Sequence, residues 1–351
     1  MQTHKMKKTF KSILFIIAAA AVIGCAKMVS ESANDANRRY LEAWKWVNYR
    51  EAATSELGTY IIDSQEGNGA SVEKDGYAIV EFTATDLEGN ISSYTYKEVA
   101  QQLGQYDSTA YYGPQVWITA DQTIQAGIQE ALLSMKVGGS KTVVIPSWLM
   151  TYESYSSAEE YLKHETDYSN SIYSIRVVDF TKDIDTWQIS KMKEYMAVNY
   201  GGADTFQEDT VGFYYKRLSQ KTGKEESFPS DTTIYINYTG KLLNGLVFDT
   251  NIERTAWDHG LYSESKTYGP VKITWSDTYS GLTMGDDASS VITGFARTLW
   301  DMRNLNEEGK YDKGVGIFYS PLGYGYSGNG SSIPPYAPLV FEIEIVENPE
   351  E

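Results

Sequence analysis

The sequence predicts an α+β protein: two β-rich units in tandem, with helical segments before and between them. Three observations carry this. Apolar and polar residues alternate with period two in short runs, the pattern of strands with one buried face, most clearly over 232–251, TTIYINYTGKLLNGLVFDTN. Shifting the first half by 156 places lays Val80, Phe82, Thr83, Ala84 and Gly89 on Ile236, Tyr238, Thr239, Gly240 and Gly245. A shift of 167 lays Ile128, Leu132 and Met135 on Phe295, Leu299 and Met302, a helix stripe in each half. Two copies imply tandem closed domains, since a solenoid needs more repeats.

At 351 residues the chain has room for two ordinary domains plus connectors. Its 28 tyrosines favour strands and aromatic surfaces. A formal charge of −17 opposes nucleic-acid binding and electrostatic docking on anionic lipid, so no nucleic-acid partner is expected. Cys25 is the single cysteine and excludes an intramolecular disulfide; with only His4, His164 and His259 beside it, no metal site is expected.

Residues 1–24 read as a signal peptide. Lys5, Lys7, Lys8 and Lys11 lead into the apolar run 13–21, which is too short to span a bilayer comfortably. Val22-Ile23-Gly24-Cys25 resembles the lipobox of bacterial lipoproteins. The resemblance implies that Cys25 is acylated and begins the mature chain, tethering it to a membrane. The alternative is a plain secretory signal with an incidental cysteine. The expected location is the cell envelope, lipid-anchored at the outer membrane on its periplasmic or surface side.

Residues 25–57 form a polar tether and then a helix, with Leu41, Trp44 and Val47 at three-residue spacing and Asn34 or Asp35 as cap. The first unit, 58–182, has strands at 60–62, 78–82, 142–145 and 172–180. Its helix stripe, Ile124, Ile128, Leu132 and Met135, ends at Gly138–Gly139. A helical linker, 183–211, follows; Trp187, Met192, Met196 and Val198 keep no clean stripe, and Gly201–Gly202 is the expected C-cap.

The second unit, 212–351, opens with a strand at 213–218, then a hairpin turning at Asn244-Gly245. A polar, aromatic insertion spans 254–275 and an irregular stretch 276–289. Ser289 or Ser290 is expected to cap a helix striped by Val291, Phe295, Leu299 and Met302. After a surface loop at 304–314, a strand at 316–320 and a glycine-rich flap, the last strand turns Leu339, Phe341, Ile343 and Ile345 inward and Glu342 and Glu344 outward.

Tyr238-Thr239-Gly240, Asn244-Gly245, Phe248-Asp249, Tyr324-Gly325, Ile333-Pro334-Pro335 and Leu339-Val340-Phe341 together resemble the FKBP family of peptidyl-prolyl cis–trans isomerases. The resemblance implies two tandem FKBP-like domains, each an antiparallel sheet wrapped on a short helix, with proline-containing polypeptides as clients and no cofactor. It assigns Phe295 to the floor of the proline pocket and Tyr238, Phe248, Val271, Val291 and Phe341 to its walls. Ile333 joins them in binding substrate. Ile292 matches the residue whose backbone N–H holds a substrate carbonyl, and Tyr324 the flap tyrosine that donates to another. Asp249 matches the pocket carboxylate and Arg254 the arginine that pairs with it. Three positions depart from the family: Phe295 stands where tryptophan is commonest, Val271 where the residue is commonly aromatic, and Ser332 where it is usually apolar.

On pattern alone Phe248, Phe295 and Phe341 read as plain core before they read as a pocket. Across an Asn-Gly hairpin, Asp249 should share a face with Tyr238 while Phe248 points away, so both reach one pocket only through a bulge or bend. The first unit carries Ser92 and Ser93 at the Phe248–Asp249 positions, Gln125 for Ile292 and Ile128 for the floor, and is expected to be a non-catalytic copy that has lost its pocket. The rival readings are a non-catalytic proline-peptide binding module and a surface interaction lipoprotein. Gly323, Gly325 and Gly328 spell a dinucleotide-type motif but lead into Asn329–Ser332 and Pro334–Pro335 and not a helix.

Overall fold

The computed structural model describes residues 32–219, 226–303 and 312–349. The signal peptide, Cys25 and most of the expected 304–314 loop lie outside the described residues.

In the first half, α1 (Ala33–Asn48) precedes β1 (Ala53–Thr54), β2 (Tyr60–Gln65), β3 (Tyr77–Thr85) and β4 (Ile91–Tyr94). Then come α2 (Lys97–Gln102), β5 (Gln115–Ile118), α3 (Ala126–Leu133), β6 (Ser140–Ile145), α4 (Ala158–Lys163) and β7 (Ser171–Thr181). The helix α5 (Ile184–Tyr200) leads into β8 (Gln207–Thr210), β9 (Phe213–Arg217), β10 (Thr233–Leu242) and β11 (Val247–Thr250). The chain continues through α6 (Glu253–Asp258), β12 (Val271–Thr274), β13 (Thr283–Met284), β14 (Ser289–Ser290), α7 (Thr293–Asp301), β15 (Lys313–Phe318) and β16 (Leu339–Val346).

The α+β class is borne out, as two antiparallel sheets with few helices. Their central orders correspond: β2-β6-β7-β3 in the first, β9-β15-β16-β10 in the second. In each, the last-named strand also pairs with two later strands, β3 with β4 and β5, β10 with β11 and β12. The likeness reaches the register, with Ala84 opposite Ser93 where Gly240 lies opposite Asp249, and an irregularity at the next step of both hairpins. One helix packs into the core of each unit, α3 with Ile128 and Leu132, α7 with Phe295 and Leu299. A glycine lets each helix approach its sheet: a Cβ on Gly127 or Gly294 would lie 2.3 Å from the side chain of Ile145 or Phe318.

Several elements differ from expectation. Ser32, not Asn34 or Asp35, caps α1 by accepting from the Asp35 N–H. Asn34 is buried instead, its amide donating to the carbonyls of Leu162 and His164. Leu41 packs on the first core while Val47 stands in solvent. Serines 289 and 290 lie in β14, and α7 starts at Thr293 with Ile292 as an N-cap that makes no side-chain bond. The 254–275 insertion contains α6 and β12, and β12 is a full partner of β10.

The linker helix is the largest revision. Its buried face is Ile184, Gln188, Met192 and Met196, a strict four-residue stripe with a polar member. Gln188 is buried because its Oε1 accepts from the Ser320 N–H at 2.8 Å. Met192 and Met196 cover Val315, Ile317 and Val340 on the outer face of the second sheet. Strand β16 is therefore covered on both faces, and Glu342, expected outward, accepts from the Tyr200 hydroxyl at 2.8 Å and the Lys241 ammonium at 2.6 Å. Trp187 and Val198 lie off the stripe; the Trp187 indole donates to Asp179 of the first unit, and Val198 is exposed.

Candidate active site

The β10–β11 hairpin sets the geometry. Thr239 pairs with Thr250 and Gly240 with Asp249, but Lys241 pairs with Val247, which leaves Phe248 as an extra residue. That bulge breaks strict alternation, so that Asp249 reaches Tyr238 while Phe248 packs on Phe341 in the same aromatic cluster. The buried Tyr238 donates its hydroxyl to Asp249 Oδ2 at 2.7 Å. Phe248 meets Phe341 edge-on at 5.5 Å between ring centroids.

Around this pair the rings form a connected cage. Phe295 packs edge-on against both Tyr238, at 5.6 Å, and Phe341, at 5.1 Å, while Phe318 stacks behind Phe341 at 5.9 Å. A Cβ on Gly240 would sit 2.8 Å from the rings of both Phe248 and Phe341, so the glycine leaves the space that both occupy. Val271 on β12 lies opposite Ile236 of β10, and Val291 and Ile292 approach from the start of α7; all three are partly buried against the same cluster. Ile292 is the N-cap of α7, where first-turn N–H groups lack intrahelical acceptors. Ile333 is buried, held by a two-way backbone bridge with Asn329.

Tyr324 packs against this cluster from the flap. Burial first, and the Asp249 charge second, raise its phenol above the usual range; the same two causes, with the Asp249 hydrogen bond, raise Tyr238. Both hydroxyls therefore stay protonated donors, in reach of one carboxylate's field.

The expected partner of Asp249 is corrected. Arg254 lies on α6 and pairs with Asp258 one turn along at 2.9 Å, with its side chain 84% exposed. The cation on Asp249 is Lys266, whose Nζ donates to Oδ1 at 2.8 Å and to the Thr250 carbonyl at 3.0 Å. Nothing local in the sequence marks Lys266, which lies 17 positions after Asp249, beyond α6. Asn251 was also missed. It accepts from the Tyr238 N–H at 2.7 Å and donates to the carbonyls of Ile236 and Gly269, each at 2.8 Å, tying that loop to β10. Its place directly after Phe248-Asp249-Thr250 is the signal that could have found it.

The first unit keeps more of a hollow than expected. Phe82, Ser93, Trp117, Ile128, Tyr152 and Tyr173 line a cavity of about 370 Å³ at the equivalent place. Phe82 lies 4.6 Å from the Trp117 ring and 6.1 Å from Tyr173. With Ser93 in register with Ala84, the carboxylate is gone although the hollow remains. Pro335 and Tyr336 of the second unit form part of its rim.

No family model matches the chain. A probable FKBP-type peptidyl-prolyl cis-trans isomerase of Haemophilus influenzae is 29% identical over 140 residues, 40% of this chain and 44% of that protein. An FK506-binding protein of Neisseria meningitidis serogroup B is 30% identical over 138 residues, 39% of this chain and 95% of that protein. The chain spans about half the length of the larger curated relatives it matches. Among solved structures, FkpA from Escherichia coli aligns with 46% of this chain and 60% of its own at 23% identity, with a TM-score of 0.30.

Proposed function

We propose that this chain, which belongs to the FKBP family, is a peptidyl-prolyl cis–trans isomerase whose second unit carries the catalysis. The observation that supports this most is the bulged hairpin, which brings a hydrogen-bonded Tyr238–Asp249 pair and the Phe248 ring to the edge of one aromatic cage.

Rotation about a peptide bond faces a barrier of about 18–20 kcal/mol because amide resonance is lost on the way. For X–Pro the two end states are nearly equal in energy, and uncatalysed exchange takes about tens of seconds. The planar amide is strongly dipolar and the twisted one less so. A ring-lined, water-poor hollow therefore disfavours the ground state more than the transition state. Phe295 and Phe341 receive the pyrrolidine ring. The Ile292 end of α7 and the Tyr324 hydroxyl hold the flanking carbonyls, so that one side of the bond is fixed while the other turns. Asp249, oriented by Tyr238 and Lys266, supplies the charge that the rotating carbonyl meets. Each ~1.4 kcal/mol of preference for the twisted form is worth a factor of ten.

The clients in this reading are proline-containing segments of exported proteins, met in the cell envelope by a chain anchored through acylated Cys25. The first unit, with Ser93 for the carboxylate, binds or spaces without turnover. The departures from the family at Phe295, Val271 and Ser332 favour binding without turnover in the second unit as well.

A protease-coupled assay on an X–Pro tetrapeptide tests the central claim. Wild type is expected to accelerate exchange, and Phe341→Ala to lose most of that acceleration. A wild-type rate equal to buffer leaves the binding module as the better reading. Fatty-acid labelling of wild type but not of Cys25→Ser tests the anchor.

A further inference from the structure

We infer that the first unit supplies one wall of the second unit's substrate groove, through its loop 104–114, and that this wall restricts the groove to an extended stretch of client. The inference rests on the proposed isomerase reading of that groove.

Two segments flank Asp249 and Tyr324. One is the segment 251–269, which delivers Lys266 to Asp249. The other is the flap that carries Tyr324 and Ile333. The first unit's loop touches both. The Tyr111 N–H donates to the Ser331 carbonyl of the flap at 2.8 Å. The Tyr111 side chain packs against the second unit's own cluster, which includes Tyr324 and Ile333. On the 251–269 segment, a Cβ built on Gly260 would lie 2.5 Å from Ser108 Oγ and 3.6 Å from Ser108 Cβ, so the two backbones run close together.

The loop is stiff. Asp107 accepts from the Thr109 N–H at 2.8 Å and its hydroxyl at 2.7 Å, and the Asp107 N–H donates to the Tyr112 hydroxyl at 3.1 Å. Tyr111 donates its own hydroxyl to the Pro114 carbonyl at 3.0 Å, and burial pushes that phenol up to about 12. The units are also pinned behind the loop. Tyr336 adopts φ of 61°, costly for a bulky residue, and its ring meets Tyr77 of the first unit at 5.7 Å. Tyr326 donates to the Asp185 carboxylate at the start of α5. A client passing between the two segments thus meets a fixed wall, which an extended stretch clears and a bulky, partly collapsed chain does not.

Two measurements test this on the full chain. The first compares kcat/KM for a short X–Pro tetrapeptide with that for a reduced, unfolded protein whose refolding is limited by X–Pro exchange. Tyr111→Ala is expected to raise the ratio of protein to peptide activity by about threefold or more. The second places Ser108→Cys and Gly260→Cys in a Cys25→Ser background. The Cβ separation of 3.6 Å lies within the disulfide range, so mild oxidation is expected to cross-link them, and this needs no turnover to be seen. Failure to cross-link overturns the inference, as does an unchanged activity ratio in an active enzyme. A wild type that does not turn over the tetrapeptide removes the proposed function, and this inference with it.

Discussion

Tyr238 and Asp249 are joined by a 2.7 Å hydrogen bond that runs from a buried phenol to a half-exposed carboxylate. The partners sit on adjacent strands, and the bulge at Phe248 sets the distance between them. The pair is thus both a structural tie and the polar edge of an otherwise aromatic cage.

Asp249→Ala removes the acceptor of the buried Tyr238 hydroxyl and, among the described residues, the carboxylate at the edge of the cage. An unpaired buried hydroxyl costs about 1–3 kcal/mol, and kcat/KM on an X–Pro tetrapeptide should fall about tenfold. Tyr238→Phe keeps the ring and should fall less. Equal rates for Asp249→Ala and wild type would take the carboxylate out of the mechanism.

Gly240→Ala tests the cage itself. Its Cβ would meet the Phe248 and Phe341 rings at 2.8 Å each, and neither is the loose end of a flexible chain. Overpacking of this kind costs about 1–3 kcal/mol. Thermal unfolding should shift down by several degrees, with activity falling further than stability because both rings belong to the pocket. A melting point equal to wild type would mean that the rings have room to move apart.

Stability should also carry a pH signature from Asp301. Burial first, then the neighbouring Asp209 carboxylate, push its pKa up to about 7, against the opposing pull of Arg303 and Arg297. Between about 4 and about 7 the folded state holds a proton that the unfolded chain has released. This stabilisation is complete below about 4 and is lost as pH rises through about 7. Asp301→Asn should therefore gain on wild type between pH 5 and pH 8, by on the order of 1 kcal/mol once solvent screening is allowed for. Urea melts at the two pH values check it; a constant difference would place the Asp301 titration at the same pH in both states.

How much was legible varied with the range of the physics. Alternation over 234–238 and 339–345 marked β10 and β16, since a strand's two faces depend only on neighbouring residues. The hairpin turn was equally local, and Gly245 has the positive φ, 88°, that the Asn-Gly pair suggests. Gln188 concealed the stripe of α5, because a polar residue reads as solvent-facing until its partner, the Ser320 N–H at 2.8 Å, is known. Arg254 was misassigned for a related reason. Asp258, one turn along α6, was the nearer carboxylate once that helix formed.

By itself the sequence determined the repeated strand pattern, the aromatic residues of the cage and the presence of Asp249 and Tyr324 among them. Period, turn chemistry and residue type are properties of short stretches. Only the tertiary structure decided that Phe248 bulges so that it and Asp249 meet one aromatic cluster, that Lys266 and not Arg254 reaches Asp249, and that Tyr111 of the first unit packs against the second unit's cluster. Those outcomes depend on where long loops close and which surfaces meet, and nothing within a few residues of either partner encodes them.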